Sequence, residues 1–333
     1  MIRRPPRSTH CISSAASDVY KRQIIKRSIS ELTPSDVLIK VSYSSLNYKD
    51  ALSASGNKGV TREFPHTPGI DAAGVVVSSK SKNFDAGDQV IVTGYDLGMN
   101  TDGGFGQYIS VSSDWVVPLP ENLGLRESMV LGTAGLTAGL SVKKLIDAGL
   151  TPENGDILVT GATGGVGVLA IALLIKLGFS VTASTGKASE IPFLQALGAQ
   201  VIDRVELSEA SSKPLLRERW GGAIDVVGGE TLVNVLKQIK SGGSVAACGL
   251  VESPSIALTV LPFILRGVNL LGIDSVEIPL ATKRNVWNKF AGDWKIDNLE
   301  DLVTEISMAE LSDKLKLLLA GNARGRYVLS MSS

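Results

Sequence analysis

Residues 159–167 read VTGATGGVG, and the fold turns on how those four glycines are understood. The apolar run DILVTG (156–161) leads into them, and VGVLAIALLIKLG (166–178) follows with the density of a buried helix, closed by Gly178. A strand that enters a glycine turn and leaves as a helix is the setting of a dinucleotide site. Glycines let the main chain approach a pyrophosphate, and the helix N-terminus offers unpaired N–H groups to its charge. An ordinary strand-to-helix turn is the competing reading, and the flanks weigh against it. Roughly twenty residues past such a loop, NAD-binding chains carry an Asp or Glu that grips the ribose 2′-hydroxyl. Here that place falls in VTASTGK (181–187), with Ser184, Thr185, Gly186 and Lys187 and no carboxylate before Glu190. Hydroxyls and an ammonium suit a 2′-phosphate, which a carboxylate would repel. Arg204 supplies a second cation, although Lys187 by itself reads equally well as a solvated surface lysine. The pattern favours NADPH over NADH.

Outward from the loop, strand and helix patterns alternate: FSVTAS (179–184), SEIPFLQALG (189–198), AQVID (199–203), AIDVVG (223–228), ETLVNVLKQI (230–239), SVAACG (244–249) and VNLLGID (268–274). Such alternation predicts an α/β, doubly wound parallel sheet, the Rossmann arrangement, over about 122–280. VNLLGID is apolar on both faces, as a buried or inter-subunit strand would be. Upstream, over 24–121, short β-rich pieces (DVLIKVSYSSL, AAGVVVSS, DQVIVTGY, GGFGQYISVS, DWVVPLP) are separated by turn residues, which predicts an irregular, mostly antiparallel β domain. Residues 281–333 return to helix, end in the strand GRYVLS, and are expected to pack back on the first domain. No repeat or low-complexity tract interrupts this plan.

Composition narrows the function classes. The 333 residues are 44% hydrophobic and 20% charged, enough for two domains with proper cores. No apolar run reaches transmembrane length, so no membrane role is expected. Residues 1–23, MIRRPPRSTHCISSAASDVYKRQ, lack hydrophobic periodicity and any signal-peptide pattern. They resemble translated sequencing adaptor, with a basic transit peptide as the alternative, and are expected to stay out of the core. Five of the 33 basic residues and one of the 33 acidic ones lie in that leader, so the remainder is mildly acidic and a nucleic-acid partner is not expected. Beyond the leader only Cys248 and His66 remain of their kinds. A structural disulfide is then impossible, and a reduced, cytoplasmic setting is expected.

Seven stretches carry a resemblance: SSLNYKDAL (44–52), FPHTPGIDAAGVV (64–76), GTAGLTA (132–138), the glycine loop, WGGAIDVVGG (220–229), AACGL (246–250) and PFILRGVNLLGIDSV (262–276). In this order they are similar to the medium-chain dehydrogenase/reductase superfamily, in the branch of acrylyl-CoA reductases and quinone oxidoreductase-like proteins. The resemblance covers nearly everything from residue 24 onward. It implies a GroES-like β domain, a Rossmann NADP domain and a homodimer that pairs the edge near VNLLGID. Zinc members of the superfamily place a cysteine near Asn47 and Tyr48, and a Gly-His-Glu where this chain has Gly69, Ile70 and Asp71. One Cys and one His cannot build a tetrahedral site, so no metal is expected.

The implied reaction is NADPH-dependent reduction of an activated C=C bond, acryloyl-CoA to propanoyl-CoA, with a quinone or other small enone as the alternative substrate. A non-catalytic nucleotide-binding protein is the rival of another class. Tyr48 is the candidate proton donor or nicotinamide contact, unless it is cleft wall. Asn47 either donates to the substrate carbonyl or caps the next helix. Asp50 and Asp71, poor acids if ordinary, orient Tyr48 or Arg326. Arg326 pairs with Asp71, meets substrate, or is a plain surface arginine. The resemblance places Gly164, Gly165, Val166 and Gly167 on the pyrophosphate, and Thr185, Gly186, Lys187 and Arg204 around the 2′-phosphate. Tyr48, Thr133, Leu250, Ile264, Ser275 and Asn322 complete the implied cofactor contacts. Relatives often have arginine where Lys187 stands, which relaxes the expected cofactor preference. His66 reads as a loop residue and Cys248 as a buried, inert thiol.

Overall fold

The computed structural model describes residues 9–15 and 21–331. It forms two compact units, one holding the chain up to Thr133 together with everything from Val276, the other Ala134–Ser275. These limits fall inside the 122–280 span that the sequence texture suggests for the nucleotide domain.

The first unit opens with β1 (Thr9–Ala15) antiparallel to β2 (Lys21–Arg27). Residues 9–15 come from the leader, for which the sequence pattern signals no element. A ladder needs only the N–H and C=O groups that nearly every residue carries, so absent side-chain periodicity does not forbid it. Residues 1–8 and 16–20 of the leader lie outside the described residues. Next come β3 (Val37–Ser45), α1 (Tyr48–Ala54), β4 (Asp71–Ser79), β5 (Gln89–Thr93), β6 (Tyr108–Val111), β7 (Val116–Pro118) and α2 (Leu125–Asp147), whose residues from Ala134 onward belong to the second unit. Alternate residues of β3, namely Val37, Ile39 and Val41, turn inward onto Ala72, Val76, Val90, Val92 and Ile109, while Lys40 stays exposed.

The pattern gives no warning of α2, since GTAG interrupts its periodicity. At Gly132 the backbone leaves helical angles (φ 53°, ψ −156°), so α2 is two helices joined at a kink. Its 23 residues are long and apolar enough to cross a membrane, contrary to the expectation from composition, but most of its apolar window is buried inside the protein.

The second unit contains β8 (Ile157–Val159), α3 (Gly165–Lys176), β9 (Val181–Thr185), α4 (Ile191–Ala196), β10 (Gln200–Asp203), α5 (Val205–Ser208), β11 (Trp220–Asp225), α6 (Gly229–Gln238), β12 (Ile239–Ala247), α7 (Leu261–Arg266) and β13 (Asn269–Gly272). Its six strands run parallel in the order β10-β9-β8-β11-β12-β13. That is the doubly wound sheet anticipated, with the order of strand addition reversing between β8 and β11. Leu158, Ala223, Val245, Leu232 and Leu236 share its core. VNLLGID does not become a buried strand: β13 is the sheet edge, and Asn269 and Leu270 are exposed.

The chain then returns to the first unit as α8 (Leu280–Ala291), β14 (Val303–Ile306), α9 (Leu311–Leu319) and β15 (Arg326–Ser330). β15 pairs antiparallel with β3, completing a seven-stranded sheet in the order β14-β15-β3-β4-β5-β7, with β6 also on β3. Leu46, Ala51, Leu311, Leu315 and Leu329 pack together behind it. The wholly buried Lys283 of α8 donates to the carbonyls of Thr93 (2.6 Å) and Val276 (2.9 Å), pinning the return to the end of β5.

Candidate active site

In the first unit a buried polar block forms where β3, α1, β4 and β15 begin or end. Asn47 is extended (φ −128°, ψ 160°) and starts α1. Its N–H donates to Asp50 Oδ2 at 2.8 Å, one half of a capping box. The other Asp50 oxygen accepts from the Ile70 N–H, also at 2.8 Å, so this carboxyl ties the start of α1 to the approach to β4. Asp50 is not an ordinary carboxylate. Complete burial, and then the neighbouring Asp71 charge, push it up to about 7.

Asp71, the first residue of β4, is likewise fully buried but receives four donors. They are Ser45 Oγ (2.6 Å), Asn47 Nδ2 (2.7 Å), the Thr133 N–H (2.9 Å) and Thr133 Oγ1 (2.5 Å). Gly132 makes this packing possible. A Cβ there would lie 2.3 Å from Ser45 Oγ, 2.6 Å from Asp71 Oδ2 and 2.9 Å from Arg326 Nη2, at a positive φ that L side chains avoid.

Arg326 is no surface arginine, being 3% exposed. Nor does it pair with Asp71 directly. Its guanidinium donates to the Val130 carbonyl (2.9 Å), the Leu46 carbonyl (3.1 Å) and Asn47 Oδ1 (3.3 Å). The Asn47 carboxamide thus lies between Arg326 on one side and Asp71 on the other, carrying the charge pairing through two hydrogen bonds. Burial lowers the Arg326 pKa, and the Asp71 and Asp50 charges oppose that shift. With both carboxamide ends engaged, Asn47 is a poor donor to a substrate carbonyl. Tyr48 differs from all of these. It is 46% exposed at the first position of α1, and its hydroxyl makes no hydrogen bond among the described residues.

The second unit holds most of the residues expected to meet the nucleotide. Gly164 caps α3 without a side chain, leaving the first-turn N–H groups of Gly165, Val166 and Gly167 to face an anion. A Cβ at Gly167 would strike the Gly161 carbonyl at 2.5 Å and Ala162 Cα at 2.8 Å, so the helix can close on its loop only without one. At the end of β9, Thr185 accepts the Arg204 N–H on its carbonyl (3.0 Å) and the Lys187 N–H on its hydroxyl (3.1 Å). The Arg204 side chain lies across Gly186, with Nε 2.5 Å from where a Cβ would be. Thr185, Gly186, Lys187 and Arg204 therefore form one group, and its chemistry fits a 2′-phosphate. Burial lowers the Lys187 pKa, with Glu190 opposing.

The remaining candidates are more scattered. Leu250 and Ile264 are 63% and 67% exposed, Ser275 is buried with its hydroxyl oxygen accepting from Thr137 (2.8 Å), and Asn322 is exposed beyond α9 in the first unit. His66 is a buried loop residue with Nε2 unpartnered, and burial lowers its pKa. Cys248 is half-buried, its thiol pushed up to about 12 by burial and then by Asp225. Ser45, Gly132 and the buried Asp225 lie inside the quoted motifs, but sequence reasoning did not single them out. An acid inside the otherwise apolar strand AIDVVG is the one signal that marks the last of them.

Residues 33–121 match the alcohol dehydrogenase GroES-like domain, and residues 165–292 the zinc-binding dehydrogenase family. Acrylyl-CoA reductase AcuI of Ruegeria pomeroyi is 44% identical over 307 residues, covering 92% of this chain and 93% of that one. YhfP of Bacillus subtilis, which carries a quinone oxidoreductase name, is 48% identical over 306 residues, 91% of this chain and 93% of its own. The crystal structure of Bacillus subtilis YhfP with NAD bound superposes with a TM-score of 0.94 at 45% identity, over 97% of this chain and 99% of that one. The yhdH oxidoreductase of Salmonella enterica in complex with NADP gives 0.94 at 40% identity, over 97% and 100%. The zinc in the second family's description does not fit the donor set here. Among the described residues no three His, Cys, Asp or Glu side chains gather, and Asn47 and Asp71 are spent on each other and on Arg326.

Proposed function

The chain belongs to the medium-chain dehydrogenase/reductase superfamily, in the branch of acrylyl-CoA reductases and YhfP-type quinone oxidoreductases, and we propose on that premise that it reduces an activated enoyl C=C bond with NADPH. The substrate best supported is acryloyl-CoA, giving propanoyl-CoA. The observation that carries this reading is the Asn47–Asp71–Arg326 block, built where zinc relatives keep metal ligands, next in sequence to an unengaged Tyr48 hydroxyl. When bound, NADPH supplies the hydride for the β-carbon. Tyr48 holds the proton for the α-carbon at its hydroxyl, or stabilises the enolate oxygen by donating to it. Asn47, Asp50, Asp71 and Arg326 act as positioning residues, fixing the start of α1 and hence the placement of Tyr48. Gly164, Gly165, Val166 and Gly167 receive the pyrophosphate, and Lys187 with Arg204 receives the 2′-phosphate.

NADPH oxidation measured in parallel with acryloyl-CoA, crotonyl-CoA and 1,4-benzoquinone tests the reading. Acryloyl-CoA is expected to give the highest kcat/KM. Preferred turnover of benzoquinone would move the enzyme to the quinone reductases, a second reading that the YhfP likeness favours. NADPH binding with no turnover of any substrate would make it a non-catalytic nucleotide-binding protein.

The same reading includes a cytoplasmic homodimer. The exposed edge β13, with Leu270 at 38% and the α7 residues Ile264 and Leu265 beyond 60% exposure, supplies an apolar, strand-pairing surface. Light scattering at micromolar concentration is expected to give twice the chain mass; a monomer would remove the dimer.

A further inference from the structure

Asp225 ends β11, is fully buried, and has no part in the chemistry above. Thr160, at the exit of β8, donates its hydroxyl to Oδ1 (2.7 Å), and the Gly228 N–H donates to Oδ2 (2.8 Å). The Thr160 oxygen in turn accepts the Val226 N–H at 3.1 Å. The carboxylate therefore bridges β8 and β11, the two strands between which the sheet order reverses. In doubly wound sheets the dinucleotide lies outside the strand ends at that reversal. Its 2′-phosphate end belongs on the β9 side, with Thr185, Lys187 and Arg204. The nicotinamide end would then lie on the β11 side.

The charge environment of Asp225 is unusual. Asp71 has Arg326 one carboxamide away, but Asp225 makes no ion pair among the described residues. The titratable groups facing it are Glu252, a second carboxylate, and Cys248, a thiol held neutral. Burial pushes Asp225 up to about 6, so it is ionised at neutral pH with only dipoles to stabilise it. A buried carboxylate without a cation is costly in the free protein. A cation arriving with the ligand would offset that cost.

We propose that the Asp225 carboxylate supplies negative potential to the nicotinamide end of the site, favouring the oxidised, cationic ring over the reduced one and so promoting hydride donation. The proposal rests on the NADPH reading. In that reaction the reduced cofactor gives up a hydride with its two electrons, the substrate gains it at the β-carbon and a proton at the α-carbon, and a positive charge is left on the ring. Asp225 is a tuning residue here and transfers nothing itself.

Calorimetric titration with NADPH and with NADP⁺ separately, at pH 8, tests it on wild type, Asp225→Asn, Asp225→Ser and Thr160→Val. Both substitutions at 225 should raise the ratio Kd(NADP⁺)/Kd(NADPH) about tenfold, equivalent to about 1.4 kcal/mol. Thr160→Val keeps the charge and loosens the loop, so it should weaken both forms alike and leave the ratio unchanged. A ratio within twofold of wild type in a folded 225 variant overturns the proposal. If neither variant folds by circular dichroism, the wild-type ratio at pH 5 against pH 8 decides. Protonating Asp225 should raise it, the 2′-phosphate being common to both ligands, and a flat ratio overturns the proposal. Wild type that binds neither nucleotide removes the NADPH reading itself.

Discussion

Around Asp71, donors from residues 45, 47 and 133 converge on one carboxylate, whereas around Gly167 the main chain closes on itself because no side chain stands there. The first arrangement is held by atoms that are present, and it is sensitive to charge and to any loss of a partner. The second is held by atoms that are missing, and it is sensitive to any gain. Gly132 connects the two cases: it is an absence inside the interlocked block, without which Ser45, Asp71 and Arg326 could not crowd together. A site can therefore fail in opposite ways within one molecule, and each substitution asks which way applies.

The largest effect is expected at Asp50, where burial acts on a charge. Its carboxyl titrates at about 7 in the folded chain, against 3.8 as its ordinary value. Between those values the folded state holds a proton that the unfolded state has released. Stability from this group is thus fully present below pH 4, is lost as pH rises toward 7, and is flat above. The full span is on the order of 4 kcal/mol. Asp50→Asn should remove this slope, seen as the difference between denaturation free energies of variant and wild type across pH 4 to 8. Asp225 contributes in the same sense up to about 6 and cancels in that difference. A parallel pair of stability curves would mean that Arg326 already compensates Asp50 in the folded chain.

Next in size is Gly132→Ala. A backbone held near φ 53°, ψ −156° and crowded by three polar atoms should cost about 3 kcal/mol of unfolding free energy, with melting as the check. Tyr48→Phe should leave stability unchanged and lower kcat about 10²-fold, near 2.7 kcal/mol, with little change in NADPH affinity. A kcat within threefold of wild type would make Tyr48 cleft wall. Smallest is the preference for NADPH over NADH, expected at about tenfold or 1.4 kcal/mol by fluorescence titration. Lys187→Ala with Arg204→Ala should erase it. Equal affinities in the wild type would show that lysine, a point charge without a planar fork, holds the phosphate too loosely to discriminate.

What the sequence discloses follows the same division. The glycine loop and its strands were legible because each constraint is local: a turn, a close approach, an alternating apolar pattern. The missing acid in VTASTGK was legible for the same reason. The block around Asp71 was legible only as a set of residue types. Its members come from β3, β4, α2 and β15, and nothing in the chain order tells that Arg326 reaches Asn47 and stops short of Asp71. That Asp50 is not an ordinary carboxylate was not legible, because burial is a tertiary property. The kinked helix α2 escaped notice because a glycine that breaks periodicity looks like a turn. VNLLGID misled in one of its two readings, since an apolar edge strand and a buried one are written alike.

The order in which the chain is made gives one of these features a further meaning. The second unit is a single uninterrupted stretch, Ala134–Ser275, and can mature as soon as it emerges from the ribosome. The first unit cannot, because its sheet takes β15 from the far end of the chain. Asp50 and Asp71 are synthesised early and Arg326 last, so the nascent protein carries its acids before their cation exists. The second unit is complete while the first is still open. Closure of the first unit waits on β15, and a chain shortened before Arg326 would lack both that strand and the cation of the polar block.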